Sequence, residues 1–174
     1  MSRTGFCYPL AGGEAATGYH PLRPPLIPIF RTALPRGVVG RRQGRYVAFK
    51  PFYVKGPAYG GLVGDVGDAA RLVMLHLNGG RVGERHPLSA ASVAEMQRIT
   101  PRGGKRDFGL GWFRSSKARK KRPNFVEHLG GGAGFWNVMR LYPDRGIGVA
   151  IMSNSTRSYD FEPLFALLAD AAWS

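Results

Sequence analysis

The 174-residue chain has a single cysteine, Cys7, so it can form no internal disulfide and no thiolate cluster. Its four histidines, His20, His76, His86 and His128, never pair at helical ligand spacing. No metal site and no cofactor are therefore expected. Long apolar runs are missing too. Nothing approaches the roughly 18 consecutive apolar residues of a membrane helix. The first seven residues, MSRTGFC, lack the apolar core of a secretory signal. As written, the chain has no export route and reads as cytoplasmic. It also lacks the Gly-x-Ser-x-Gly elbow of one large hydrolase class. Acidic residues are scarce, 11 against 25 Lys and Arg, giving a net charge of +14.

What remains is an ordinary globular composition, 44% hydrophobic, in a length that suits one domain with a real core. The 25 glycines and 13 prolines are not periodic and sit between apolar runs, which points to turns rather than to collagen or disorder. The positive charge is mostly arginine, with one dense run, RSSKARKKR, from Arg114 to Arg122. Such runs are usually solvated loops, and this one lacks the interleaved aromatics of a single-strand binding platform. Nucleic acid is therefore disfavoured as a partner. A module binding an anionic polymer through Arg114 to Arg122 is kept as the alternative.

Residues 1–50 are the least regular. Pro21 to Pro35 hold five prolines and are expected to form an extended surface loop. Arg41 to Phe49 suggest one short strand. Residues 51–100 read as helical. Asp65 caps a helix with Ala69, Leu72, Val73 and Leu75 or His76 at helical spacing, ended by Asn78-Gly79-Gly80. Ser89 caps a second, Ala90 to about Arg98, with Val93, Met96 and Gln97 on one side, and Pro101 blocks its continuation. Residues 105–174 read as sheet with a C-terminal helix. Strands are expected at Phe108–Phe113, Phe125–Leu129, Phe135–Tyr142 and Ile147–Asn154. The turn Pro143-Asp144-Arg145-Gly146 joins the last two. The final strand is expected to be buried on both faces. In the helix Phe161–Trp173, Leu164, Phe165, Leu168 and Ala172 form the expected core stripe. Helices packed on an antiparallel sheet make the class α+β.

The most informative segment is HLGGGAGFWNVMRLYPDRGIGVAIMSN, His128 to Asn154. His128-Leu129-Gly130 is followed by the small residues Gly131 to Ala133, then Gly134-Phe135, a strand, Pro143-Asp144-Arg145 and a strand ending at Asn154. Upstream lie GPAYGGLVG, Gly56 to Gly64, then Asp68-Ala69-Ala70-Arg71-Leu72, Leu88-Ser89 and Gly109-Leu110-Gly111-Trp112. In this order the series resembles the serine β-lactamase, penicillin-binding protein and related esterase superfamily, especially its class C branch. The fold so implied is the C-terminal part of a β-lactamase-like domain spanning 1–174. The implied chemistry is attack of a serine on an ester or lactam carbonyl, which needs oxyanion donors. By the same resemblance, His128 stands in the catalytic Lys/His-Thr/Ser-Gly tripeptide. Gly130 lets backbone approach the substrate, and the Gly131 N–H supplies one oxyanion donor. Asn154 is read either as pocket lining or as the close of a strand.

Two departures shape the expectation. Leu129 stands where Thr or Ser is common, and His128 stands where Lys is common. Both favour an esterase or amide-hydrolase parent over a dedicated β-lactamase. No serine is followed three residues later by Lys, and no tyrosine two residues later by Asn. The nucleophile, general base and first strands are thus expected before residue 1, as in a truncated gene, a clone fragment or a split reading frame. The chain alone is expected to be inactive. Its expected partners are a small ester or amide substrate of the intact parent and a separately encoded N-terminal half.

Overall fold

The structure, a computed structural model, describes every residue except 2, 7–14, 23, 52–59, 103, 116, 118–122, 133, 158–159 and 172–174. Its elements run β1 (Gly18–Pro21), a 3-10 turn (Pro24–Leu26), α1 (Ile27–Ala33), β2 (Val39–Gln43), β3 (Tyr46–Phe49), α2 (Val66–Leu77) and α3 (Ala90–Gln97). They continue with β4 (Arg106–Phe108), β5 (Phe113–Ser115), β6 (Val126–Gly132), β7 (Phe135–Tyr142), β8 (Ile147–Ser153) and α4 (Glu162–Asp170). The strands form two sheets, of order β1-β3-β2 and β4-β5-β6-β7-β8. The class is α+β, as the sequence pattern indicates. Two compact units emerge. The first gathers Met1–Asp68, Gly130–Asn137 and Met152–Ser158, and the second Ala69–Leu129, Val138–Ile151 and Tyr159–Ser174.

In the first unit the proline-rich segment is helical where an extended loop was expected. Pro24 and Pro25 open the 3-10 turn, and Pro28 lies in the first turn of α1. There an amide has no intrahelical acceptor to lose, and the fixed φ of proline already suits a helix. The single strand expected near Arg41–Phe49 is a hairpin, β2 and β3, turned at Gly44 with φ of 58°. β1 pairs antiparallel with β3, Gly18 opposite Phe49. Asp68 is fully buried, and one of its carboxylate oxygens accepts the Arg3 N–H and the Thr4 hydroxyl, each at 2.8 Å. That carboxylate ties the N-terminal residues to the start of α2.

In the second unit the helix boundaries follow the capping signals. The Ser89 hydroxyl accepts from Ser92 N–H, and the Gly80 N–H closes α2 on the Leu75 carbonyl, with Gly79 and Gly80 both at positive φ. Strand alternation then sorts the sheet into two faces. Val126 and Leu141 pack with Val73 and Trp112 beneath α2 and α3. Phe125 and Tyr142 pack with Ala169 of α4 and with Ile147. No residue of β8 is fully buried, against the expectation of burial on both faces. A Cβ at Gly148 would lie 2.1 Å from the Val73 side chain, whereas Met152 is exposed. The expected stripe on α4 is rotated: Phe165 and Ala169 are buried, Leu164 is exposed, and Ala172 lies outside the described residues.

His76, in the last turn of α2, is buried edge-to-face against Trp112 at 4.9 Å, and its Nδ1 finds no hydrogen-bond partner among the described residues. Burial holds its pKa below the usual imidazole value. The unfolded chain takes up this proton near pH 6.5. Below that pH the unfolded state therefore binds more protons than the native state, and stability falls until native His76 itself titrates. The melting midpoint should drop as pH is lowered from about 7 to about 5, and His76→Leu should flatten that slope. An unchanged slope in the variant would refute the assignment.

Candidate active site

The expected strand Phe108–Phe113 is in fact two short strands around a tight turn. Gly109 N–H donates to the Trp112 carbonyl at 2.7 Å, and Leu110 N–H donates to the Met96 carbonyl at 3.0 Å. Gly111 sits in this turn with φ of 81°, which side chains disfavour. A Cβ at Gly109 would lie 2.5 Å from the Met96 carbonyl oxygen, so glycine is needed there for close approach. The turn delivers the Gly111 carbonyl oxygen to 2.7 Å from His128 Nδ1. The buried Phe113 ring lies against the same imidazole at 5.8 Å, while His128 as a whole stays exposed.

His128, Leu129, Gly130 and Gly131 follow one another on β6, so alternation puts His128 and Gly130 on one side of the strand and Gly131 on the other. Within the first unit the two glycines differ. A Cβ at Gly130 would meet nothing nearer than Asn137 Cβ at 4.0 Å, an ordinary contact. A Cβ at Gly131 would lie 3.0 Å from Trp136 Cε3, forcing the indole to give way. Gly130→Ala should therefore leave the melting midpoint nearly unchanged, within about 0.5 kcal/mol of wild type. A large loss of stability in that variant would show that Gly130 serves packing instead of leaving room for a ligand.

Other residues singled out by sequence take structural parts. Asn154 Nδ2 donates to the Thr17 carbonyl at 3.1 Å, which fits the strand-closing reading. Most of the basic run lies outside the described residues. Its first member, Arg114, is half-buried, donates from Nη1 to Asn124 Oδ1, and has a buried Nε without a partner among the described residues. Arg114 is therefore not a freely solvated charge. Among the described residues no group of three or more His, Cys, Asp or Glu side chains is gathered as metal ligands would be.

Sequence reasoning missed three contributors. One is the Gly111 carbonyl, whose contact with His128 spans 17 positions. Another is Gly134, whose backbone meets Gly18 and Tyr19. The third is Arg140, buried between two glutamates.

Over residues 1–172 the sequence matches the Beta-lactamase family. The chain belongs to that family. A search of curated proteins finds no match. Among solved structures, the β-lactamase-family fold seen here is similar to that of the octameric penicillin-binding protein homologue from Pyrococcus abyssi. The TM-score is 0.58 at 21% identity, covering 90% of this chain and 31% of that one. The family chain thus spans about a third of the length of that protein. Its α+β architecture is that of the β-lactamase and penicillin-binding protein superfamily.

Proposed function

We propose that this chain contributes the His128–Gly131 strand to a serine hydrolase of the β-lactamase family, one acting on small esters or amides through an acyl-serine. The observation that carries the reading is His128, exposed on β6 and held through Nδ1, two residues ahead of a glycine whose Cβ position meets only an ordinary contact at 4.0 Å. In this reading His128 takes part in proton transfer at the reacting centre. Gly130 leaves room for the acyl group, and the Gly131 N–H stabilises the oxyanion. The 174 residues hold no Ser-x-x-Lys or Tyr-x-Asn element, so the nucleophile comes from outside them, as from a separately encoded N-terminal half. Leu129 in place of a hydroxyl residue favours esters and amides over β-lactams.

The test is hydrolysis of p-nitrophenyl esters and nitrocefin by the chain alone and after co-expression with a Ser-x-x-Lys-bearing N-terminal half of the family. The chain alone should show no turnover, and the reconstituted protein should cleave the ester. His128→Ala should lower that rate by about 10²-fold to 10⁴-fold, the usual scale of general acid–base catalysis. Turnover by the isolated chain that survives His128→Ala would overturn the proposal.

A further inference from the structure

We propose that the Gly111 carbonyl holds neutral His128 as its Nδ1–H tautomer, so that Nε2 meets the substrate as a hydrogen-bond acceptor and the site suits neutral substrates over carboxylate-bearing ones. This rests on the functional reading above. A backbone carbonyl only accepts, so at 2.7 Å the hydrogen between Gly111 and His128 belongs to Nδ1. In the neutral ring the lone pair is then confined to Nε2. Free imidazole side chains lean the other way, with the hydrogen on Nε2, so the contact imposes a tautomer instead of recording one.

The carbonyl is well placed to do this. Its peptide belongs to a turn tied down by the Gly109 N–H bond to Trp112 and the Leu110 N–H bond to Met96. Trp112 is itself buried in the core with Val73, Val126 and Leu141. Phe113 flanks the imidazole and limits its rotation. Gly111 is a positioning residue in this scheme, and its φ of 81° is what presents the carbonyl. A charged lysine at position 128 would only donate and would attract a substrate carboxylate. A neutral imidazole fixed as an acceptor at Nε2 gives such a group nothing to bind.

The first measurement is the nitrogen spectrum of the ¹⁵N-histidine-labelled chain at a pH where the histidines are neutral. His128 should show a protonated Nδ1 and a bare Nε2, while exposed His86 shows the ordinary preference. His128 with the hydrogen mainly on Nε2 would overturn the proposal whether or not any hydrolysis is found. Gly111→Ala should return His128 to the ordinary preference. If that variant does not fold, the wild-type spectrum decides by itself. In the reconstituted enzyme, His128→Lys should shift the kcat/KM ratio toward a carboxylate-bearing ester by about tenfold, the scale of one charge-assisted hydrogen bond. An unchanged ratio would refute the substrate preference. An inverted tautomer without any hydrolysis would instead sink the functional reading and leave the imidazole geometry standing.

Discussion

Arg140→Ala should destabilise the protein by about 3 to 5 kcal/mol, the usual result of stripping one partner from a buried ion pair. At this chain length that lowers the melting midpoint by roughly 10 °C. Arg140 is only 3% exposed. Its Nη2 lies 2.7 Å from Glu127 and 2.7 Å from Glu162, and its Nε donates to the same Glu127 oxygen at 3.1 Å. The guanidinium also lies over two rings, 4.1 Å from the centre of Phe125 and 3.8 Å from that of Phe165. Burial by itself lowers the pKa of the guanidinium. The hydrogen bonds to Glu162, Tyr142 and Glu127, with the charge of Glu127, outweigh burial and raise its pKa further. Removing the side chain leaves Glu127, itself buried, with an uncompensated charge and opens a gap beneath α4. Arg140→Lys should recover only part of the loss, because an ammonium cannot lie flat between two rings and bridge two carboxylates. The decisive control is Arg140→Met with Glu127→Leu. Removing both charges should restore most of the stability, as buried ion pairs are often replaceable by apolar packing. If the double variant is as unstable as Arg140→Ala, the loss comes from packing and not from the orphaned carboxylate.

Gly134→Ala should cost about 3 kcal/mol, from left-handed backbone strain of roughly 1–2 kcal/mol added to a packing clash of similar size. Gly134 has φ of 87°, and a Cβ there would lie 2.3 Å from the Gly18 carbonyl carbon and 2.4 Å from the Tyr19 nitrogen. Both are backbone atoms, so no side chain can swing aside. The Tyr19 N–H is shared between the carbonyls of Gly134 at 3.1 Å and Asn154 at 2.9 Å. The added methyl should pry β1 from both, seen as faster hydrogen exchange at the Tyr19 amide as well as an earlier denaturation midpoint. Gly130→Ala, four residues away, supplies the contrast, because its Cβ would meet only Asn137 Cβ at an ordinary 4.0 Å. Equal stability of the two variants would show that the close approach of Gly18 and Gly134 is not what the glycine serves.

Most of the fold was readable from local rules. Ser89 and Asp65 start helices because a short oxygen-bearing side chain meets an orphan amide, and both do so here at 3.0 and 2.8 Å. β7 runs from Phe135 to Tyr142 as its apolar pattern requires. The errors have one origin. The proline-rich segment turned helical because its prolines fall in first turns, a matter of position and not of composition. Phe108–Phe113 broke into two strands because Gly109 and Gly111 bend the chain against Met96, twelve or more positions upstream. On α4, Phe165 faces inward as its spacing indicates, but Ala169 is buried where Leu164 was expected because it meets the sheet, which no periodicity within the helix identifies.

The same division holds for the candidate site. Sequence by itself determined the family, the α+β class and the succession of the C-terminal strands along the chain, because these are carried by residues close together; that the strand expected to end at Leu129 runs on through Gly130 and Gly131 was decided by the structure. Only the tertiary structure decided that the Gly111 carbonyl holds His128 by Nδ1, that Gly130 has room for a methyl where Gly131 and Gly134 do not, and that Arg140 stands buried between Glu127 and Glu162. Apart from the Gly130 and Gly131 contacts across the β6–β7 hairpin, each of these depends on atoms from distant segments meeting within hydrogen-bond or van der Waals reach. That distance is fixed by how helices and sheet pack, and no local pattern encodes it.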